Sequence, residues 1–227
     1  MNREISRLAI LQVAGVLATT ACLTARSSPP KSFTIEAPPP NATPRAGGVV
    51  VAMSRVEVAP EYAGEAFVYQ TAEHELVRDP YARFASMPSF LLSTAVRGYL
   101  ANTDFISDVV SRDSGLRPRV TVETAAVKLA GALRPTDSSS ILTLRFRVLL
   151  NPAEVGPATE ILLKTYTSTT RNRRATPRAV VDGWNQALAE IMAEFESDLR
   201  TALVAGRLLS PGSGDATASA TQRPAGD

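Results

Sequence analysis

Few residues in this chain are equipped for covalent or acid–base work. Among 227 residues there is one histidine, His74, and one cysteine, Cys22, so no internal disulfide forms and no metal-binding Cys/His set assembles. His74 sits between Glu73 and Glu75 in a polar stretch, where a solvated side chain is the expected state. Serines are plentiful, but none lies in a Gly-x-Ser-x-Gly elbow, and no Walker-type glycine loop occurs. The carboxylate pairs Glu73/Glu75 and Glu194/Glu196 have the chemistry of an acid and a base. Their spacing reads better as solvated turn and helix faces. The expectation is a protein with no catalytic residue, no metal site and no cofactor.

Contact chemistry is better represented. Arg78, Asp79, Tyr81, Arg83 and Phe84 combine the residue types that anchor interfaces, and read as a docking surface. The same residues also suit an internal brace, with Tyr81 and Phe84 buried and Arg78 or Arg83 paired to Asp79. Arg171, Asn172, Arg173 and Arg174, with Arg178 nearby, read as a basic loop that either meets lipid phosphates or an acidic partner, or is simply solvated. Lys and Arg number 24 against 22 acidic residues. So balanced a charge excludes the strong positive field that nucleic-acid binding requires.

The first residues read as an address rather than as part of a fold. Arg3 and Arg7 precede a mostly apolar run, Leu8 to Leu17, and the small residues Ala18 to Ala21 lead to Cys22. A membrane span needs about 20 apolar residues, and this run is shorter. Thr19 to Cys22 resembles a bacterial lipobox, with Thr19 where leucine is usual, which implies lipidation of Cys22. The alternative is a free cysteine in a plain signal peptide or an uncleaved anchor. One acyl chain holds a protein to a bilayer only marginally, at about 0.8 kcal/mol per buried methylene, whereas two or three attach it firmly. Leu23, in place of an aspartate after the cysteine, favours the periplasmic face of the outer membrane by analogy with lipoprotein sorting. The boundaries that follow are a signal peptide over 1–21, a tether over 22–31, a domain over 32–209 and a disordered tail over 210–227, which lacks the apolar residues to order it.

The elements that position the contact residues follow from periodicity. Ser32 to Ile35 predicts a short first strand, and Pro38, Pro39, Pro40, Pro44, Gly47 and Gly48 a loop. Val49 to Val58 predicts a strand whose continuous apolar start belongs in mid-sheet. After a turn at Pro60 to Gly64, Phe67 to Tyr69 ends one strand and Glu73 to Val77 forms another extended piece. Arg78 to Pro80 should then turn the chain into a loop carrying Tyr81 to Phe84. Ser86 is the expected cap, and Pro88 the first turn, of a helix burying Phe90, Leu91, Val96, Tyr99 and Leu100 and ending near Asn102 or Thr103.

Phe105 to Ser111 predicts a returning strand, and long strands follow. Val120 and Val122 have one parity and Val127 and Leu129 the other, which requires a bulge near Ala125 and Ala126 or a two-sided strand. Leu142, Leu144, Phe146, Val148 and Leu150 alternate with Thr143, Arg145 and Arg147, one face buried and one wet. Turns at Pro135 to Ser138 and Asn151 to Pro157 flank this strand, and Glu160 to Thr169 is its antiparallel neighbour. The last helix is capped by Thr176, opens on Pro177, buries Val180, Trp184, Leu188, Ile191, Phe195, Leu199 and Leu203, and ends at Gly206. The fold class is α/β: a single layered domain in which two main helices pack one face of a mixed, largely antiparallel sheet.

Tyr69, Glu75, Leu76, Tyr81, Ala82, Arg83, Phe84 and Pro88, in that order and spacing, resemble the signature region of the ABC-type transport auxiliary lipoproteins. Ser32 to Ile35 and the stretch Asn185, Gln186, Ala187, Leu188 agree with the same family, so the likeness spans Phe33 to Leu203. The family commonly has tryptophan where this chain has Phe84, and tyrosine and leucine around Phe33 and Ile35. The resemblance implies the same layered architecture and a non-catalytic, lipid-anchored periplasmic component of an envelope ABC system of the MCE type, moving lipids or hydrophobic compounds. It also implies the partners, namely an MCE-domain protein, an ABC permease and an ATPase, together with self-association into a homo-oligomer. Two alternatives stand beside it: a periplasmic carrier holding a lipid or other small ligand in a cavity between sheet and helices, and a structural lipoprotein that regulates another envelope complex.

Overall fold

The computed structural model describes residues 29–37, 40, 47–116, 118–134, 137–153 and 156–209. Cys22, the export segment, most of the expected tether, the tail from Ser210 and the turn residues Pro135 and Thr136 lie outside the described residues. Among those described, the elements are β1 (Lys31–Phe33), β2 (Val49–Met53), β3 (Glu57–Val58), a 3-10 turn at Pro60–Tyr62, β4 (Ala66–Gln70), β5 (Leu76–Phe84), α1 (Pro88–Ala101), β6 (Ile106–Ser111), β7 (Val120–Arg134), β8 (Asp137–Leu150), β9 (Thr159–Asn172) and α2 (Pro177–Ala205).

The sheet is built around β7. Its parity change is resolved by a bulge: the pairing with β8 slips between Ala126 and Lys128, which turns Val127 outward at 44% exposure and keeps Ala126 and Leu129 both in the core. Along one edge β7 pairs antiparallel with β8, and β8 with β9. Its other edge is too long for one partner. β2 takes the start (Val51 beside Val120), β3 the middle (Glu57 beside Ala125) and β4 the end (Tyr69 beside Gly131), all in parallel. β6 lies outside β2, and β5 then β1 lie outside β4, giving an open nine-stranded mixed sheet. The long ladders are antiparallel, while the short strands on the other edge of β7 join it in parallel.

Both helices cover one face of this sheet and share a single core. The α2 stripe is buried as its spacing requires, with Trp184, Leu188, Phe195, Leu199 and Leu203 fully enclosed. Thr176 Oγ1 accepts from the Ala179 amide at 3.3 Å, and Pro177 opens the helix. Its other end differs from expectation. Gly206 has φ −75°, and the left-handed position falls on Arg207 at φ 58°. The Leu208 amide reaches Leu203 O at 2.9 Å and the Arg207 amide reaches Val204 O at 3.0 Å, the paired bonds of a Schellman ending.

In α1, Met87 rather than Ser86 is the cap, without a side-chain bond, and the buried stripe is Pro88, Leu92, Val96, Tyr99 and Leu100. Phe90, expected inside, is 45% exposed, because the helix starts at Pro88 and places Leu92 on the inner face. The Val49 to Val58 strand breaks into β2 and β3 at Ser54 to Val56, where the Val56 amide bonds the Ser93 hydroxyl of α1 at 2.8 Å instead of a neighbouring strand.

Candidate functional site

The contact residues near Asp79 belong to a hairpin. β4 and β5 pair antiparallel through Val68/Arg78, Tyr69/Val77 and Gln70/Leu76. The tip closes with the Thr71 amide on Glu75 O at 2.9 Å and the His74 amide on Thr71 O at 3.2 Å. His74 takes φ 66°, the left-handed residue that such a short loop needs. Its ring meets the Gln70 amide nitrogen at 3.3 Å, so its part is in the turn.

The expected turn at Arg78 to Pro80 is a large bulge inside one continuous strand. From Val68/Arg78 to Ala66/Arg83, β5 advances five residues while β4 advances two. Asp79 holds the bulge: its Oδ1 accepts from the backbone amides of Tyr81 at 2.7 Å and Ala82 at 3.1 Å. The Tyr69 phenol faces the same carboxylate. Burial, with the Asp79 carboxylate second, pushes that phenol well above its ordinary range. Arg78 reaches Glu61 O at 3.3 Å and Arg83 reaches the Ser32 hydroxyl at 3.3 Å, so neither arginine pairs with Asp79 as a brace would require.

The five residues do not share one surface. Phe84, 2% exposed, points inward, where its ring lies 4.6 Å from Phe67 and 5.4 Å from Trp184. It contributes burial, about 1.5–3 kcal/mol for a ring of this size, and not docking. Phe33 packs on Phe67 at 5.4 Å, and Trp184 Nε1 donates to Ala130 O at 3.1 Å. Tyr81 points outward at 63% exposure, joined by Leu76 and Val77 at 40% and 47%. β1 begins opposite Ala82, so among the described residues β5 from Leu76 to Pro80 has no strand on its outer side. This is an open, partly apolar edge, and Pro80 and the bulge interrupt its ladder.

The basic loop is shorter than expected. Arg171 and Asn172 are the last residues of β9, paired with Ser139 and Ser138, and Arg173 and Arg174 stand exposed with Ala175 in the bend before Thr176. Asn172 serves the interior: its amide donates to the Ser138 hydroxyl at 3.1 Å and its Oδ1 lies 3.1 Å from the fully buried Ser140 hydroxyl, which donates to Val180 O at 2.7 Å. A single row of pairings, Leu76, Gln70, Ala132, Ser139, Arg171, crosses five strands. The hairpin edge and the arginine bend therefore stand at the same end of the sheet, about 19 Å apart at about 4.8 Å per strand.

Two polar networks were not read from the sequence. Lys164 on β9 donates to Glu194 and Asp198, each at 2.8 Å, and the Tyr166 hydroxyl donates to Asp198 at 2.7 Å. The Lys164 ammonium, then the Tyr166 hydroxyl, hold the Asp198 carboxyl below its ordinary range. Glu196, expected on a solvated face, instead accepts from the Tyr99 hydroxyl at 2.9 Å and meets Arg200, which also pairs with Asp104. These bonds tie α1 to α2. The only signal available was the i,i+4 spacing of Glu196 with Arg200 and Glu194 with Asp198. The layer between sheet and α2, where a carrier would need its cavity, is filled by Trp184, Phe67, Phe146 and Phe195, with Phe146 stacked on Phe195 at 3.9 Å.

The segments quoted for the auxiliary-lipoprotein likeness meet in space. Phe33, Phe84 and Trp184 enclose Phe67, and beside them Asn185 Oδ1 accepts from the Glu36 amide at 3.0 Å across 149 residues of sequence. No family model matches the chain, and no curated protein does. Solved structures do. A protein from Xanthomonas campestris of the family DUF330 is 13% identical with a TM-score of 0.64, covering 79% of this chain and 99% of its own. A hypothetical protein from Chlamydia trachomatis is 11% identical with a TM-score of 0.51, covering 70% and 99%. At these identities the likeness is one of fold, and the α/β layered domain built here on β7 is the architecture the chain shares with the DUF330 protein.

Proposed function

We propose that this protein is a non-catalytic, lipid-anchored accessory of an MCE-type envelope ABC transport system, working on lipids or hydrophobic compounds. Cys22 carries the lipid and holds the domain at the periplasmic face of the outer membrane, and the partners are an MCE-domain protein, the ABC permease and its ATPase. One observation carries the reading: Phe33 and Phe84, from two segments matching the auxiliary-lipoprotein pattern, meet in one aromatic cluster with Phe67 and Trp184, and Asn185 of the third segment accepts from the Glu36 amide just beyond the first. A pattern whose parts interlock in this way encodes a packed unit. The fold likeness to a DUF330 protein supports the same reading. The docking surface is the outer edge of β5, where Leu76, Val77 and Tyr81 are exposed and backbone groups are open to an added strand.

The test is co-purification of the full chain from detergent-solubilised membranes. The parent recovers the MCE and permease subunits, and the Val77→Lys, Tyr81→Glu double variant, changed only at exposed side chains, loses them while its melting temperature stays the same. Cys22→Ser moves the protein to the soluble periplasmic fraction. Failure to recover those subunits with the parent refutes the transport reading, and a membrane-bound Cys22→Ser refutes the anchor.

A further inference from the structure

On the sheet face opposite the helices, one row of residues crosses three strands: Glu57 on β3, Ala125 on β7 and Arg145 on β8. The next row of the β7/β8 ladder on that face pairs Glu123 with Arg147. Ala125 offers a single methyl among long charged side chains, so the row has a gap at its centre. A cavity of about 230 Å³ opens there, and Arg55 and Arg112 complete its wall. Four arginines thus surround two glutamates.

Their pairing is uneven. Glu123 is shared by Arg112 at 3.1 Å and Arg147 at 3.7 Å, and Arg147 also reaches Glu160 at 3.0 Å. Among the described residues Arg145 has no ion-pair partner. The Arg55 guanidinium carbon lies 4.1 Å from the centre of the Phe90 ring of α1, and among the described residues Arg55 has no ion-pair partner. With Glu160 counted on Arg147, four arginines stand against three carboxylates, an excess of one positive charge, and the Arg145 and Arg55 forks are without a carboxylate. Such a wall suits an anion with several oxygens, and arginine forks match phosphate oxygens in pairs.

We propose that this cup binds a phosphate monoester dianion, with Arg145 and Arg55 donating to its oxygens, Arg147 adding charge and Ala125 providing the floor. The phosphate belongs either to a soluble phosphate ester or to the headgroup of a phosphatidate lipid. Neither Cys22 nor the β5 edge takes part, so the site stands or falls apart from the transport reading.

The experiment is calorimetric titration of the purified full chain in non-ionic detergent with inorganic phosphate, glycerol 3-phosphate and dihexanoyl phosphatidic acid. The parent binds inorganic phosphate with a dissociation constant of about 1 mM or tighter. Arg145→Gln, which disturbs no pairing, weakens that binding about tenfold, and Ala125→Val weakens it by filling the cup with no change of charge. Tighter binding of the phosphatidate than of glycerol phosphate assigns the lipid source, and equal binding assigns the soluble one. The proposal is overturned if the parent gives no heat with any of the three up to about 10 mM, or if Arg145→Gln binds within about fivefold of the parent.

Discussion

Two glycines inside helices should respond to the same substitution with opposite signs. Gly183 lies where α2 comes closest to β8 and β9. A Cβ built there would stand 2.5 Å from Asn172 Oδ1, 2.5 Å from the Ser140 hydroxyl oxygen and 2.8 Å from Ser140 Cβ. The oxygens can rotate away, but Ser140 Cβ is fixed to a central strand, so α2 must lift by about 0.6–0.9 Å to regain ordinary contact. Lifting stretches the Ser140 bond to Val180 O, now 2.7 Å, and loosens Trp184 one residue on. Overpacking of this kind costs about 1–3 kcal/mol, and a weakened buried hydrogen bond adds about 1 kcal/mol. Replacing glycine by alanine in a helix interior returns about 1 kcal/mol. Gly183→Ala should therefore lose about 1–3 kcal/mol. Gly98 in α1 has nothing within 4 Å of the same construction, so Gly98→Ala should gain about 1 kcal/mol from helix propensity alone. Urea unfolding followed by circular dichroism separates the two, as does the melting temperature at about 2–4 °C per kcal/mol for a domain of this size. A Gly183→Ala protein as stable as its parent would refute the close seating of α2.

Acid should expose the Asp198 network. The folded carboxyl titrates below its unfolded value of about 3.9, so its stabilising part is present above that pH and is lost as pH falls through the lower, folded value. Asp198→Asn removes this part, and the urea midpoint of the variant should fall less than the parent's between pH 6 and 3; parallel curves would count against the network. At the hairpin tip, His74→Gly should gain about 0.5–1 kcal/mol by relieving the φ of 66°, whereas His74→Val should lose about as much or more, both read from the urea midpoint. A tip insensitive to both changes would mean that the loop is not closed as described.

Where one periodicity governed a whole element, the sequence was sufficient to place it. Thr176, Pro177 and the stripe from Val180 to Leu203 specify α2 to the residue at its start, because a side-chain cap, a proline at the first position and a long apolar stripe all agree. The parity conflict between Val122 and Leu129 requires a bulge near Ala125 and Ala126 or a two-sided strand, and the slip between Ala126 and Lys128 decides for the bulge. The errors fall where two local signals compete and a distant contact decides. Arg78, Asp79 and Pro80 carry every mark of a turn, yet ladder bonds of Val77 and Arg78 to β4 on one side and of Ala82 to Phe84 to β1 on the other draw the chain into one strand, and the turn survives as a bulge. Gly206 looked like the helix terminator, but the Leu208 and Arg207 amides complete their bonds only with the left-handed residue one place later.

The candidate surfaces were legible only as residue types, since facing is a property of pairing. Tyr81 and Phe84 are three apart and read alike. Once the stretch is a strand and not a loop, alternation sends the first to solvent and the second into the aromatic cluster. The same limit holds for the arginine cup. Arg145 and Arg147 were correctly assigned to the wet face of β8, but Glu57 and Arg55 arrive beside them only because β2 and β3 part company along β7, a consequence of one 15-residue strand having several short partners. A site assembled by unequal strand lengths leaves no motif. Its charge excess becomes visible only once the row Glu57, Ala125, Arg145 is laid across the sheet.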